Sequence, residues 1–122
     1  MKFIDNVPIY VQIANDIKEQ ISAGKLADGD KLDSIREFSL AYEVTALTMQ
    51  RAMALLEQED IVETKKGVGS FVKTGVGDVL KINLVQELVR DFVARAIKMG
   101  FSHTEIMAKV KEELGHDERV DG

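Results

Sequence analysis

The sequence predicts a mainly α-helical fold with one small β-hairpin. Apolar residues recur every three or four positions in five segments, as they do on one face of a helix. After the third segment the pattern changes to two short β-branched runs around a pair of glycines, which is typical of a hairpin. A glycine-containing joint, "TGVGD" at 74–78, then separates two parts of the chain. We expect a domain over 1–75, a helix pair over 79–115 and a polar tail over 116–122.

The first helix is predicted over residues 8–26, "PIYVQIANDIKEQISAGKL". Pro8 suits the first helical position, where its missing N–H costs nothing. Gly24 is expected to end the helix, because glycine readily adopts the left-handed conformation found there. The apolar stripe consists of isoleucines spaced by four residues: Ile9, Ile13, Ile17 and Ile21. One face of this helix is therefore predicted to lie in a core.

The next two helices are predicted to form a helix-turn-helix. Ser34 with Glu37 three residues later is a capping box, so a short helix begins at Ser34 and ends near Glu43. Thr45 is the expected N-cap of the third helix, which leaves about three residues for the turn. On this third helix the residues predicted to face the core are Met49, Ala52, Met53 and Leu56. The residues predicted on its opposite face are Leu47, Gln50, Arg51 and Ala54.

Two short strands, 61–65 and 70–73, follow the third helix and are joined by a glycine-rich tip. Helix, helix, helix and hairpin in this order make a winged helix-turn-helix domain. The glycines at the tip remove side chains that would hold the backbone away from DNA, and they permit positive φ. The lysines beside them supply the positive charge that phosphates require. The wing residues predicted to approach DNA are Lys65, Lys66, Gly67 and Gly69.

Two amphipathic helices come after the joint. The first carries an apolar band about twice as wide as one partner helix would cover, and the second begins at a capping box formed by Ser102 and Glu105. Because two helices of this size cannot bury both apolar faces, a second copy of the chain is expected to cover them as a dimerisation appendage. The alternative is that they fold back onto the N-terminal domain of a monomer. The residues predicted at the homodimer interface are Leu84, Leu88, Val89, Phe92, Val93, Ile97, Ile106 and Val110.

The composition restricts the class of protein. The 122 residues carry a net charge of −5, with 45% hydrophobic and 30% charged residues, which is typical of a globular chain. There is no cysteine, so disulfides and thiol chemistry are excluded. No apolar run approaches the roughly 20 residues that a membrane-spanning helix requires. We therefore expect a cytoplasmic protein with no membrane contact.

Nothing in the sequence indicates catalysis or a bound metal. His103 and His116 are the two histidines, and neither has a second His or Cys at a metal-ligand spacing. The run "GVGSF" lies in a hairpin rather than between a strand and a helix, so it is not a phosphate-binding loop. We expect no enzyme, no cofactor and no metal site. A small-molecule effector is compatible with the C-terminal helices, but no motif marks a pocket for it.

Several motifs occur in a fixed order between residues 8 and 72. They are "PIYVQI" at 8–13, "GDKL" at 29–32, "SIREF" at 34–38, "RAMALLE" at 51–57 and "KGVGSFV" at 66–72. In this order they resemble the DNA-binding domain of GntR-type bacterial transcription regulators, and the two-helix appendage is similar to that of the YtrA-like branch. The resemblance implies a homodimeric repressor, with double-stranded DNA as its partner.

The resemblance also implies roles for individual residues. Arg36 matches an arginine that family members use on DNA, Thr48 matches a polar position early in the recognition helix, and Gly67 matches the wing-tip glycine. Ala46 stands where the family usually has arginine. Asp60 stands where it usually has glycine, and aspartate tolerates the left-handed conformation better than most residues.

Base reading is expected from the N-terminal part of the third helix, which enters the major groove. There Gln50 can pair with adenine and Leu47 can contact a thymine methyl group, while Arg36 and Arg51 are expected mainly at phosphates. The residues predicted to bind DNA on the two helices are Ser34, Arg36, Thr45, Ala46, Leu47, Thr48, Gln50 and Arg51. The competing interpretation, favoured by the acidic charge and by Ala46, is a winged helix that binds another protein. Salt-sensitive binding to duplex DNA distinguishes the two.

Overall fold

The computed structural model describes residues 1–117 and confirms a mainly helical chain with one hairpin. The elements are α1 (Ile9–Ser22), α2 (Ile35–Tyr42), α3 (Ala46–Gln58), β1 (Val62–Lys65), β2 (Gly69–Val72), α4 (Val76–Lys98) and α5 (His103–His116). The chain divides into two compact units, Met1–Leu84 and a second that begins at Val85. We call them the winged unit and the C-terminal unit. Residues 118–122 of the predicted polar tail lie outside the described part.

The core of the winged unit lies where α1 packs against α3. Its largest fully buried side chains are Ile13, Ile17, Met49, Leu56 and Val72. The predicted core face of α3 is confirmed, because its four residues are 0–5% exposed. Three of the four isoleucines of α1 are buried as predicted, whereas Ile9 is 43% exposed at the start of the helix.

A buried glutamine attaches the N-terminal segment to α1. Gln12 is 8% exposed, and its Oε1 accepts a hydrogen bond from the Ile4 N–H at 2.9 Å. Its Nε2 donates to the carbonyl oxygens of Ile4 and Val7 at 2.9 and 2.8 Å. Both polar atoms of the side chain therefore have hydrogen-bond partners, so burying this glutamine leaves no donor or acceptor unpaired.

Side-chain caps determine where the helices of the helix-turn-helix begin. Ser34 Oγ accepts from the Glu37 N–H at 3.1 Å, and Glu37 Oε1 accepts from the Ser34 N–H at 2.9 Å, so the predicted capping box is confirmed. Thr45 Oγ1 caps α3 by accepting from the Thr48 N–H at 3.3 Å. Pro8 differs from the prediction: it is the N-cap, with ψ of 139°, because α1 begins one residue later.

The turn between α2 and α3 contains three residues, as predicted. Glu43 takes the left-handed conformation there, with φ of 57°, and ends α2. After α3, Asp60 has φ of 59°, which confirms the expectation drawn from the glycine usually found at that position. Both turns redirect the chain sharply without glycine.

The hairpin is antiparallel, with Val62 opposite Val72 and Lys65 opposite Gly69. The turn is closed by the Val68 N–H, which donates to the Lys65 carbonyl oxygen at 2.9 Å. Gly67, at φ of 77°, occupies its left-handed position. The predicted tip was therefore one residue too long, because Gly69 belongs to β2 rather than to the turn.

A third segment, residues 29–32, pairs with β2 on the edge opposite to β1. Three backbone hydrogen bonds hold it: Gly29 N–H to Val72 O at 2.8 Å, Val72 N–H to Asp30 O at 2.9 Å and Leu32 N–H to Ser70 O at 2.8 Å. The sequence itself marks only a turn here, at Asp28-Gly29. This pairing joins the wing to the loop that precedes α2.

In the C-terminal unit most apolar side chains are exposed. Among residues 85–117 the buried residues are Ala96, at 9% exposure, and Ile106, at 6%. Side chains that are 38–69% exposed are Leu88, Val89, Phe92, Ile97, Met107, Val110 and Leu114. Ile106 was predicted at a dimer interface, but it is already buried within its own unit. No helix within residues 1–117 is both long enough and apolar enough to cross a membrane.

The beginning of α4 is attached to the winged unit, so that unit extends beyond residue 75. Val76 and Leu80 pack against its core. Asp28 Oδ2 accepts from the Gly75 N–H at 2.7 Å. A Cβ on Gly77 would lie 3.6 Å from the Ile21 carbonyl oxygen, an ordinary van der Waals distance, so the start of α4 lies beside the end of α1.

We expect Asp28→Ala to lower the free energy of unfolding by about 1 kcal/mol, because the Gly75 N–H loses its charged acceptor. Urea unfolding at neutral pH measures the change. Glu19→Ala is the matched control, since it removes an exposed carboxylate from α1 without removing a described side-chain hydrogen bond. Equal stabilities of the two variants would show that Asp28 does not hold the start of α4.

Candidate nucleic-acid interface

The exposed face of α3 is the first part of the candidate site. Leu47 is 56% exposed, and Ala46, Gln50 and Arg51 are exposed as well. The buried residues Met49, Ala52, Met53 and Leu56 lie on the other side and hold the helix against the core. The predicted recognition residues therefore face away from the core, as base-reading residues must.

The N-terminus of α3 borders an open concave surface. Thr45 and Thr48 line it together with side chains from α1 and α2, and its volume is about 690 Å³. The two threonine hydroxyl oxygens lie 3.1 Å apart in a hydrogen bond, so their orientations are coupled. Thr48 is half-buried, which makes it less accessible than the residues around it. Leu40 projects at this surface and is 71% exposed.

The start of α2 carries Ser34, Arg36 and Glu37, all of them exposed. The hydrogen bond from the Ser34 backbone, then that from its side chain, and the positive charge of Lys31 hold the pKa of the Glu37 carboxyl below its usual value. Glu37 therefore remains an anion that caps the helix. Arg36, one residue earlier in the same turn, is exposed.

A buried tyrosine holds α2 against α1. The Tyr42 hydroxyl donates to Asp16 Oδ2 at 2.7 Å, and Gln20 Nε2 donates to the same oxygen at 3.0 Å. Burial, together with the hydrogen bond and the charge of Asp16, raises the pKa of the Tyr42 phenol well above its usual value. The phenol therefore stays protonated and keeps donating to Asp16 across the physiological range.

The wing is the second part of the candidate site. Lys65, Lys66 and Gly67 are exposed, and Gly69 is half-buried. Lys65 Nζ lies 4.9 Å from the centroid of the Phe71 ring, a cation–π distance. The Phe71 ring thus contacts Lys65, whereas Lys66 lies in the turn between the strands.

The acidic residues just after the exposed face of α3 are engaged in ion pairs or a hydrogen bond. The pairs are Lys18–Glu59, at 2.6 Å, Lys73–Asp60, at 3.3 Å, and Glu57 with the Thr64 hydroxyl. By contrast, the segment 44–56 contains Arg51 and no acid, and the segment 64–72 contains two lysines and no acid. The segments that hold Thr45–Arg51 and Lys65–Gly69 thus contain no acidic residue, whereas Ser34 and Arg36 lie between Asp33 and Glu37.

Lys31 is a candidate that the sequence patterns missed. It forms an isolated β-bridge with Phe71, 40 residues later in the chain, so its position on the wing depends on tertiary structure. A repeated pattern or spacing would not have identified it.

A metal site and a ligand pocket each place their own requirements on the described residues. Within residues 1–117 there is no group of His, Cys, Asp and Glu side chains that could hold a metal ion. In the C-terminal unit, Phe92, Ala96, Phe101 and Ile106 help to line an apolar cavity of about 150 Å³. This volume is below the roughly 300 Å³ at which pockets for drug-sized ligands usually begin. An open groove of about 490 Å³ lies along α4 and is lined in part by Leu88, Phe92 and Met99.

Comparison with known proteins adds independent evidence. Residues 9–72 match the family described as bacterial regulatory proteins, gntR family. The regulator YhcF of Bacillus subtilis is 35% identical over 90% of this chain and 93% of its own, and the repressor YtrA of the same organism is 29% identical over 88% and 85%. The structure of a GntR family regulator from Listeria monocytogenes superimposes with a TM-score of 0.85 at 35% identity, over 90% of this chain and 98% of that one.

The match covers the three helices and the wing, and the full-length similarity extends through α4 and α5. These relatives are transcriptional regulators rather than enzymes. An exposed recognition helix, a glycine-containing wing with lysines and a short helical appendage agree with that assignment. The chain belongs to the GntR family of bacterial transcription regulators, in its YtrA-like subfamily, and carries a winged helix-turn-helix DNA-binding domain.

Proposed function

We propose that this regulator is a cytoplasmic repressor that binds a two-fold symmetric operator as a homodimer. One observation carries the proposal. Each chain has a single recognition face, and its C-terminal unit also exposes an apolar face that a second copy can cover. The similarity to the repressor YtrA of Bacillus subtilis supports the direction of regulation. A symmetric dimer presents two recognition helices, which suits half-sites about one helical turn apart.

The dimer is proposed to form through α4 and α5. Leu88 is 69% exposed, Val89 53% and Phe92 45%, and they recur at helical spacing on α4. Soluble monomers rarely expose contiguous apolar patches of more than a few hundred Å², so a partner surface is favoured here. Leu84 and Val93 are half-buried and would contribute less, and Ile106 would support the interface from inside its own unit.

Recognition is proposed to rely on α3 without an arginine at position 46. A bidentate arginine–guanine pair contributes about 1–3 kcal/mol of discrimination, and Ala46 cannot form one. Gln50 is exposed on the same helix and can pair with adenine, while Leu47 can contact a thymine methyl group. Arg36 and Arg51 are proposed to bind phosphates. An effector of this repressor would be a small molecule whose binding changes the operator affinity.

Leu88→Lys is expected to convert the dimer into a monomer, because it places a charge in the proposed apolar interface. Affinity for a duplex with two half-sites should fall by roughly 10²–10⁴-fold when the two domains are no longer linked. Sedimentation velocity at micromolar protein measures the assembly. Gln86→Lys adds the same charge at an exposed polar position of α4 and should remain dimeric. A monomeric parent protein under these conditions would refute the dimer.

Replacing Lys65 and Lys66 together by alanine should weaken binding to all duplex sequences alike. The slope of log K against log salt should fall in magnitude by about 0.9 for each lost phosphate contact. Fluorescence anisotropy between 50 and 200 mM salt, roughly the range in which such slopes are measured, gives both quantities. Lys25→Ala removes an exposed lysine outside the wing and should leave the slope as it is. If the double variant kept the parent slope, the wing would not touch phosphates.

Gln50→Ala should change which sequences are preferred, whereas Arg51→Ala should weaken binding while keeping the preference. The measurement is selection of bound duplexes from a random library with the parent and with each variant. The parent consensus should contain two symmetric half-sites. Recovery of that same consensus by Gln50→Ala would mean that Gln50 reads no base.

A further inference from the structure

We propose that Lys31 is a third phosphate-binding lysine of the wing, and that Gly69 lacks a side chain so that Lys31 can lie across the hairpin. This inference rests on the proposed DNA binding and names a residue outside the hairpin itself. It starts from the pairing of residues 29–32 with β2, which places the loop before α2 in the same small sheet as the wing.

The alternation of side chains in this sheet places Lys31 on its outward face. Leu32, Val62 and Val72 are 4%, 4% and 1% exposed, so they point into the core. Their neighbours in the chain point the opposite way, because successive side chains in a strand alternate between faces. Lys31 and Phe71 bridge each other on that outward face. Lys65 joins them there, since its ammonium lies over the Phe71 ring.

The side chain of Lys31 extends toward the tip of the wing. It is paired with Phe71, yet its atoms lie beside Gly69, two residues closer to the turn. A Cβ built on Gly69 would be 2.8 Å from Lys31 Cε, 3.7 Å from Nζ and 3.9 Å from Cδ. Any side chain at position 69 would therefore displace the end of Lys31. Gly69 also has φ of 140°, a backbone conformation that residues with a side chain rarely adopt. Glycine is therefore favoured here both by the backbone conformation and by the space that Lys31 occupies.

The ammonium of Lys31 is available for an anion. The ion pairs closer than 4.0 Å in residues 1–117 are Lys18–Glu59, Lys73–Asp60 and Lys109–Glu112, and Lys31 is in none of them. The charge of Lys31 helps to lower the pKa of Glu37, and Glu63 pairs with Phe71 from the opposite edge of β2. The outward face thus carries Lys31 and Lys65 beside one half-buried aromatic ring, and Lys66 lies in the adjoining turn. Three cations along one edge of a wing suit the sugar-phosphate backbone.

The first experiment measures the salt dependence of binding to a selected operator and to a random duplex. Lys31→Ala should weaken both alike and reduce the slope of log K against log salt by about 0.9 per subunit. Lys31→Arg should retain the parent slope, and Lys25→Ala is the control outside the sheet. Thermal unfolding of each variant shows that the fold is kept. A parent slope in Lys31→Ala would overturn this inference, whereas a parent protein that binds no duplex would overturn the proposed function instead.

The second experiment tests the link between Lys31 and Gly69 with a double-mutant cycle. Gly69→Ala should weaken DNA binding in the parent background, through backbone strain and through displacement of Lys31. In the Lys31→Ala background only the strain remains, so the fold-loss caused by Gly69→Ala should be smaller. Equal fold-losses in the two backgrounds would show that Gly69 acts independently of Lys31, and the steric part of the inference would fail.

Discussion

The packing of α1 against α3 is the constraint on which the rest of the winged unit depends. Ile13 and Ile17 of α1 and Met49 and Leu56 of α3 are fully buried. Because these side chains leave α3 only one orientation, Leu47, Gln50 and Arg51 are directed outward. Loss of a large aliphatic side chain from such a core costs about 2–5 kcal/mol, a large part of the stability of a small domain. The recognition surface is thus a consequence of core packing.

Many acidic side chains of this protein take part in hydrogen bonds or ion pairs that belong to the fold. Glu37 caps α2, Asp16 accepts from Tyr42, Asp28 holds the start of α4, and Glu59 and Asp60 pair with lysines. Each of these carboxylates stabilises the fold locally through a hydrogen bond or an ion pair. The net charge of −5 therefore does not indicate the local charge of the recognition surface. If the wing binds DNA as proposed, its local excess of lysine would act on phosphates within a screening distance of about 10 Å.

Local patterns predicted most of the fold, and they failed where distant segments meet. The capping boxes, the face of α3 and the left-handed Asp60 depend on neighbours a few residues away, so they were predictable. The pairing of residues 29–32 with β2, the bond from Gly75 to Asp28 and the place of Lys31 depend on contacts across some 40 residues. The exposed positions on α3 could be identified from the sequence. For the wing, the hairpin could be predicted but the additional segment that pairs with β2 could not. Ile106 shows a further limit, since an apolar stripe does not reveal which of its members a neighbouring helix already covers.

The winged unit precedes the apolar faces of α4 and α5 in the chain, and this order matters during synthesis. Core residues between Ile13 and Val72 are all translated before α5 exists. At about 5–20 residues per second, the 50 residues after Val72 take several seconds. The DNA-binding domain can therefore fold while its tail is still on the ribosome. The surface most prone to unwanted association emerges after a folded domain is already attached to it.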